Sequence, residues 1–283
     1  MKTLYILLWN FKIGGVQKHA ILLANHMIKL GFNVQILYAS KEGDLIELLD
    51  PRVVLAPLKI PNTNNPIKLY KLYKKLQTIF PKNAVVLANG PNNFRQLARF
   101  NRLFGRWRIL YVLHNDFEIR RHWAAVFKKM ELHWICNAKN TQVIALTKAQ
   151  KDMHESKVGI RNIELIPNFI NFNHGYLSSR DQKVTRGLAM GRYAHEKGFD
   201  VLLNAMPHTM SEIQIDVYGF GESTRQQLKE EAYRLQIKHI CFLDAVINTF
   251  EVMAKYDYFV LPSRNETFGI AALEALSCGL PIV

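Results

Sequence analysis

Hydrophobic positions along the chain fall into short runs separated by stretches with helical spacing. Leu4–Trp9 is an unbroken run of six apolar residues bounded by Asn10, the pattern of a buried strand. Gly14-Gly15 follows as a loop. Ala20, Leu22, Leu23, His26, Met27 and Leu30 then recur at helical spacing, and Gly31 supplies a stop. Val34–Tyr38 is the next apolar run. Strand, helix, strand at this spacing predicts a right-handed βαβ unit and a parallel sheet. Further runs at Val53–Ala56, Ala84–Ala88, Ile109–Leu113, Val143–Leu146 and Ile163–Ile166 extend it. Alternation of this kind predicts an α/β fold with its sheet covered on both faces.

The pattern lapses at Asn168–Lys183, which is polar and aperiodic and reads as a linker. It then restarts. Strands are expected at Gly187–Met190, Ile213–Tyr218, His239–Leu243 and Tyr258–Leu261. Helices are expected near Phe199–Met206, Thr224–Leu235, Phe250–Lys255 and Ile270–Ser277. Two α/β domains follow, at 1–170 and 184–283, joined by a linker at 171–183. Pro281-Ile282-Val283 reads as the opening of another buried strand, so the chain is expected to be truncated and its second domain incomplete.

Composition narrows the chemistry. A length of 283 residues suits two domains of about 150 residues each. Cys136, Cys241 and Cys278 lie far apart with no CxxC, which argues against a disulfide scaffold or a cysteine zinc site and fits a reducing compartment. The N-terminal run is too short for a secretory h-region of about 7–15 residues or a membrane helix of about 20. The expected location is the cytoplasm, peripheral at the inner face of the plasma membrane. Net charge is +14 but uneven: residues 1–180 carry +17 and residues 181–283 carry −3. Such a field attracts nucleic acid, anionic membrane or anionic substrate.

Three segments of the second half carry candidate chemistry. Glu266 and Glu274 stand eight apart across an expected strand-to-helix turn. Gly269 permits close approach there, and the amides of Phe268, Gly269, Ile270 and Ala271 are donors at a helix start, a ready phosphate site. The two carboxylates could grip different hydroxyls of one extended ligand. Arg192 and Lys197 follow the end of a strand, where α/β sheets bind ligands. They offer a fork and a point charge for a diphosphate, stabilising negative charge on a leaving group without a metal. Ile215–Tyr218 ends in Gly219-Phe220-Gly221, but Thr224 stands where a dinucleotide fingerprint needs glycine.

The Glu266/Glu274 spacing, with Phe268-Gly269 and Gly279-Leu280-Pro281 around it, resembles the donor-site signature of glycosyltransferase family 4, the retaining GT-B glycosyltransferases. Gly191-Arg192…Lys197-Gly198 matches that family's Gly-Arg…Lys-Gly stretch. The resemblance covers nearly the whole chain and implies two Rossmann-like domains facing across a cleft. It implies that Gly14 and Gly15 face donor phosphate and acceptor, that Gly219 and Gly221 close over the donor nucleotide, and that His114 contacts the transferred sugar. Glu266 would then meet the donor sugar and Glu274 the ribose. Gln17, where many members have Glu, and Phe169, where the usual residue is Gly, depart from the pattern. A nucleotide-sugar donor is a co-substrate here; no cofactor and no metal are expected.

The basic half then reads as an attachment or acceptor face. Lys68, Lys71 and Lys75 fall on one side of an amphipathic stretch and Leu69, Leu72, Tyr73, Leu76 and Phe80 on the other. Further basic clusters lie at Arg95/Arg99/Arg102/Arg106/Arg108 and Arg120/Arg121/Lys128/Lys129. Anionic lipid and a glycan or lipid-linked acceptor, as in lipopolysaccharide or capsule assembly, are the expected partners. No nucleic-acid signature is present. The alternative function is a truncated, catalytically impaired relative acting as a binding module or pseudo-enzyme. An epimerase or phosphorylase of the same architecture ranks lower.

Overall fold

The computed structural model describes residues 2–58, 65–114, 123–170, 185–209 and 213–283. The chain forms two compact units, Met1–Asn168 and Phe169–Val283. The expected linker at 171–183 lies outside the described residues, as do Arg120 and Arg121.

In the first unit the elements run β1 (Thr3–Leu8), α1 (Gly15–Lys29), β2 (Asn33–Tyr38), β3 (Val54–Pro57), α2 (Pro66–Ile79), β4 (Val85–Ala88) and α3 (Pro91–Phe104). They continue with β5 (Arg108–Val112), α4 (Trp123–Cys136), β6 (Thr141–Ala145), α5 (Lys148–Val158) and β7 (Ile163–Leu165). The strands form one sheet in the order β3-β2-β1-β4-β5-β6-β7. Every pairing is parallel. The apolar runs become strands because both sheet faces are covered: Ile6, Leu8, Ile36, Leu37, Val86, Ile109 and Val143 are all buried. One expected helix behaves as its pattern dictates. On α2, Leu69, Tyr73 and Leu76 are buried while Lys68, Lys71 and Lys75 are exposed. A 3-10 turn at Asp44–Leu48, which no apolar period announces, packs Leu45 inward.

In the second unit the elements are β8 (Thr185–Met190), α6 (Phe199–Ala205), β9 (Ile213–Gly219), α7 (Glu222–Arg234), β10 (Ile240–Asp244), α8 (Thr249–Met253), β11 (Tyr258–Phe259) and α9 (Ile270–Ser277). The sheet order is β10-β9-β8-β11, again parallel throughout. Ile282 bridges in parallel to Phe259. Most boundaries shift from expectation by one or two residues, and two of the shifts show a local cause. Helix α7 starts at Glu222 rather than Thr224, because Gly221 takes a positive φ of 118° and serves as its N-cap. Strand β11 ends at Phe259, where the chain passes from β8 to the C-terminal segment: the Val260 N–H still donates to Leu188 O at 2.7 Å, and the Leu261 N–H donates to Val283 O at 2.9 Å.

Both sheets reverse their strand order once. The reversal falls between β1 and β4 in the first and between β8 and β11 in the second. At such a point the loops leaving the carboxyl ends of neighbouring strands diverge and open a crevice where ligands bind.

Candidate functional site

In the second unit the loops that diverge are 191–198, after β8, and 260–269, after β11. They are held together closely. Gly198 has φ 66°, and a Cβ built on it would stand 2.0 Å from the Pro262 carbonyl oxygen. Arg264 clips the second loop to the first: its guanidinium donates to both Asp200 carboxylate oxygens, at 2.6 and 2.7 Å, and to the His195 carbonyl at 2.9 Å. Its backbone N–H donates to Glu196 O at 2.9 Å. The guanidinium holds the Asp200 carboxyl below the usual range.

This clip brings Lys197 and Glu266 into contact. Lys197 Nζ lies 2.5 Å from Glu266 Oε2, and each side chain is 25% exposed. Ser263 Oγ donates to the same carboxylate oxygen at 3.3 Å. The stem of Lys197 lies over Gly191, within 3.4 Å of where a Cβ would stand. Gly269, with φ 75°, caps α9 beside the Glu266 side chain. The first amides of α9, at Ile270 and Ala271, therefore open next to a lysine and a carboxylate, and Phe268 stands half-buried before them.

Arg192 is placed differently. Its guanidinium pairs with Glu196, and its side chain remains 58% exposed. Glu196 is thus an ion-pair partner whose carbonyl also accepts from the Arg264 backbone N–H. Glu274 lies 2% exposed on α9, where its Oε2 accepts from Thr249 Oγ1, at the start of α8, at 2.9 Å. Gly219 and Gly221 wrap Tyr193. A Cβ on Gly219 would stand 2.1 Å from the Gly191 carbonyl, and one on Gly221 3.0 Å from the Tyr193 carbonyl. The Tyr193 hydroxyl lies 2.7 Å from Val217 O and 2.6 Å from Leu243 O and shares its single proton between them, pinning the first loop to β9 and β10.

In the first unit the structure gathers a second set at the β1/β4 reversal. Gly14 caps α1 in extended backbone, and its carbonyl accepts from Lys18 N–H at 2.8 Å. Gly15 begins the helix. Gln17 Nε2 donates to Asn10 Oδ1 at 3.1 Å. His114, one turn beyond β5, meets Asn89 Oδ1 through Nε2 at 3.0 Å and packs edge-on against the His19 ring with centroids 4.8 Å apart. Burial, with the neighbouring His19, pushes His114 down to about 3, and burial alone pushes His19 down to about 4.

Asn89, His19 and the Arg264–Asp200 clip are absent from the sequence reading. For Asn89 a signal existed: a polar residue ending an apolar run, followed by Gly90-Pro91. For Arg264 and Asp200, 64 residues apart, none did. Among the described residues no cluster of three or more His, Cys, Asp or Glu is arranged to hold a metal.

Comparison with known proteins follows the same two units. Residues 13–174 match the profile of Glycosyltransferase Family 4, and residues 185–283 match that of Glycosyl transferases group 1. The chain belongs to glycosyltransferase family 4. It is 32% identical over 119 residues to an uncharacterized glycosyltransferase of Methanocaldococcus jannaschii, a stretch covering 40% of this chain and 30% of that one. It is 35% identical over 103 residues to the phosphatidyl-myo-inositol mannosyltransferase of Mycobacterium leprae, covering 34% and 27%. These matches span less than a third of either relative. Among solved structures, Anabaena HepE in complex with UDP-glucose aligns over 100% of this chain and 80% of its own, with TM-score 0.78 and 19% identity. The architecture is thus the GT-B fold that the resemblance implied.

Proposed function

We propose that the chain is a retaining glycosyltransferase that moves a sugar from a nucleotide-sugar donor to a cell-envelope glycan or lipid-linked acceptor, without a metal. The observation that carries this reading is the Lys197–Glu266 pair beside the N-terminus of α9, at the strand-order reversal of the second sheet. An arriving diphosphate competes with Glu266 for Lys197. Once released, the Glu266 carboxylate is available to a donor sugar hydroxyl, while Lys197, Arg192 and the Ile270 and Ala271 amides take the phosphate charge. Glu274 serves the ribose. In the first unit, Gly14, Gly15 and His114 serve the transferred sugar and the acceptor. The donor phosphate itself takes the acceptor's proton on the face from which the sugar leaves, so no separate base is required. HepE, whose structure holds UDP-glucose, supports the donor class.

The acceptor side rests on the surface of the first unit. Helix α4 is apolar on two faces. Leu132, Ile135 and Cys136 are buried, whereas Val126, Phe127, Met130 and Trp134 are 40–70% exposed. Lys129 is exposed and Lys128 half-buried on the same helix, and the Arg102 guanidinium of α3 lies 5.9 Å from the Trp134 ring centroid. Apolar side chains ringed by cations fit an anionic lipid surface, and the phosphatidyl-myo-inositol acceptor in one relative's name is of that chemistry. Among the described residues no helix is long and apolar enough to cross a membrane.

A panel of nucleotide-sugars tests the reading by thermal shift and turnover. The true donor raises the melting temperature, and raises it further as its concentration exceeds Kd. Lys197→Ala and Glu266→Ala each lower turnover at least about tenfold, in line with losing one charge-stabilising group. Unchanged rates in both variants would sink the assignment. A donor that binds without turning over would favour a binding module.

A further inference from the structure

Asn89 occupies a junction. It follows the last residue of β4, is 3% exposed, and donates its backbone N–H to Leu7 O of β1 at 3.3 Å. Its carbonyl accepts from Asn93 Nδ2 at 3.0 Å. Its side-chain Nδ2 donates to Val16 O, in the first turn of α1 just after Gly14-Gly15, at 2.9 Å. Its Oδ1 faces His114 Nε2 at 3.0 Å.

These contacts fix chemistry as well as shape. A peptide carbonyl only accepts, so the amide must turn its NH2 toward Val16 and its oxygen toward His114. An amide oxygen also only accepts, so the proton between Asn89 and His114 belongs to Nε2. A neutral imidazole carries one ring proton, which leaves Nδ1 as an acceptor. The titratable group facing the ring among the described residues is His19 of α1; Asn89 and Asn93 are neutral. A second imidazole and burial both oppose a positive charge on His114.

We propose that Asn89 is a positioning residue that holds His114 with its proton on Nε2, so that Nδ1 accepts a hydrogen bond from a sugar hydroxyl. The tautomer part stands on this geometry alone; the hydroxyl rests on the glycosyl-transfer reading above. The opposite tautomer would present a donor at Nδ1, to which a hydroxyl could only accept and not donate. One side chain thereby ties three elements together: the glycine loop, the end of β4 and the histidine after β5.

Long-range proton–nitrogen correlation spectra of the full chain, labelled with 15N-histidine and free of ligand, read the tautomer directly. His114→Gln assigns the resonance. The wild-type spectrum is expected to show the Nε2–H form at neutral pH. Asn89→Asp places a carboxylate against Nε2–H and is expected to raise the His114 titration midpoint by about 1–3 pH units. Asn89→Leu is expected to leave a mixture of tautomers. A wild-type Nδ1–H tautomer, or an unchanged tautomer and midpoint in both variants, overturns the proposal. The wild-type measurement stands even where Asn89→Leu does not fold. Turnover of His114→Ala tests separately whether the ring belongs to the transfer site, so the two readings fail independently.

Discussion

At the scale of single residues, the second-unit site depends on one glycine more than on any charged group. Gly198 combines a left-handed φ with a backbone approach that leaves no room for a Cβ. Replacing it costs the αL penalty and also forces the 195–198 turn off Pro262. Gly198→Ala is therefore expected to destabilise by more than about 1 kcal/mol, the scale of the glycine effect alone. Differential scanning calorimetry would show the melting temperature falling by several degrees, and donor affinity should fall with it as Lys197 and Glu266 separate. Gly31→Ala, at a φ of 81° but with open space around it, is the control for φ without the clash.

The buried histidines give the first unit a pH dependence with a definite sign. His19 and His114 are held neutral, at about 4 and about 3, while an unfolded chain binds protons near pH 6.5. The unfolded state thus takes up more protons below that point, and stability falls as pH falls. The contribution is fully present above pH 6.5 and is lost progressively between about pH 6.5 and the folded values. By pH 4 the two together remove on the order of several kcal/mol. Urea titrations at pH 7.5, 6 and 5 check this. His19→Gln should flatten the slope, and a stability that rises on acidification would contradict the burial argument.

At the scale of elements, the basic clusters show what a linear sequence conveys and what it withholds. Strands were legible because parallel strands buried on both faces must be continuously apolar, and helix α9 was legible because Gly269 and Gly279 bracket it. Arg95 and Arg99 were read as part of an exposed basic face. Both instead donate to Glu131 of α4, with side chains no more than 30% exposed. Burial opposes the Glu131 charge, but the two guanidiniums win and hold its carboxyl below the usual range. A bridge between residues more than 30 positions apart leaves no periodic trace. The same holds for Glu274: its spacing from Glu266 was visible, its burial beneath Thr249 was not. Glu131→Ala should loosen α4 from α3 and cost about 1–2 kcal/mol, since two half-buried guanidiniums lose a shared acceptor. Denaturant unfolding measures the loss; Glu131→Gln, which keeps the shape and one acceptor oxygen, should recover part of it.

At the scale of the whole molecule, charge and apolar exposure coincide in the first unit. Residues 1–180 carry +17 against −3 for the remainder, and helix α4 exposes Val126, Phe127, Met130 and Trp134 on one face. Loss of Arg95 and Arg99 to Glu131 does not remove this field, because Lys68, Lys71, Lys74, Lys75, Arg102 and Lys129 remain exposed on α2, α3 and α4. Electrostatic attraction of this kind decays over a Debye length of about 8 Å at physiological salt, whereas apolar insertion does not depend on salt in that way. The two contributions can therefore be separated. Sedimentation with vesicles rich in anionic lipid should bring the protein down at low salt, with far less binding to zwitterionic vesicles. Raising salt to about 0.5 M should weaken the binding steeply. Phe127→Asp with Met130→Asp should reduce it at every salt concentration, because each removes an inserting side chain and adds a repelling charge. Lys71→Glu with Lys75→Glu should act only at low salt. Equal binding to anionic and neutral vesicles would show that the charge asymmetry does not drive membrane binding, and loss of turnover on a soluble anionic acceptor in the Lys71/Lys75 variant would then assign the basic face to that acceptor.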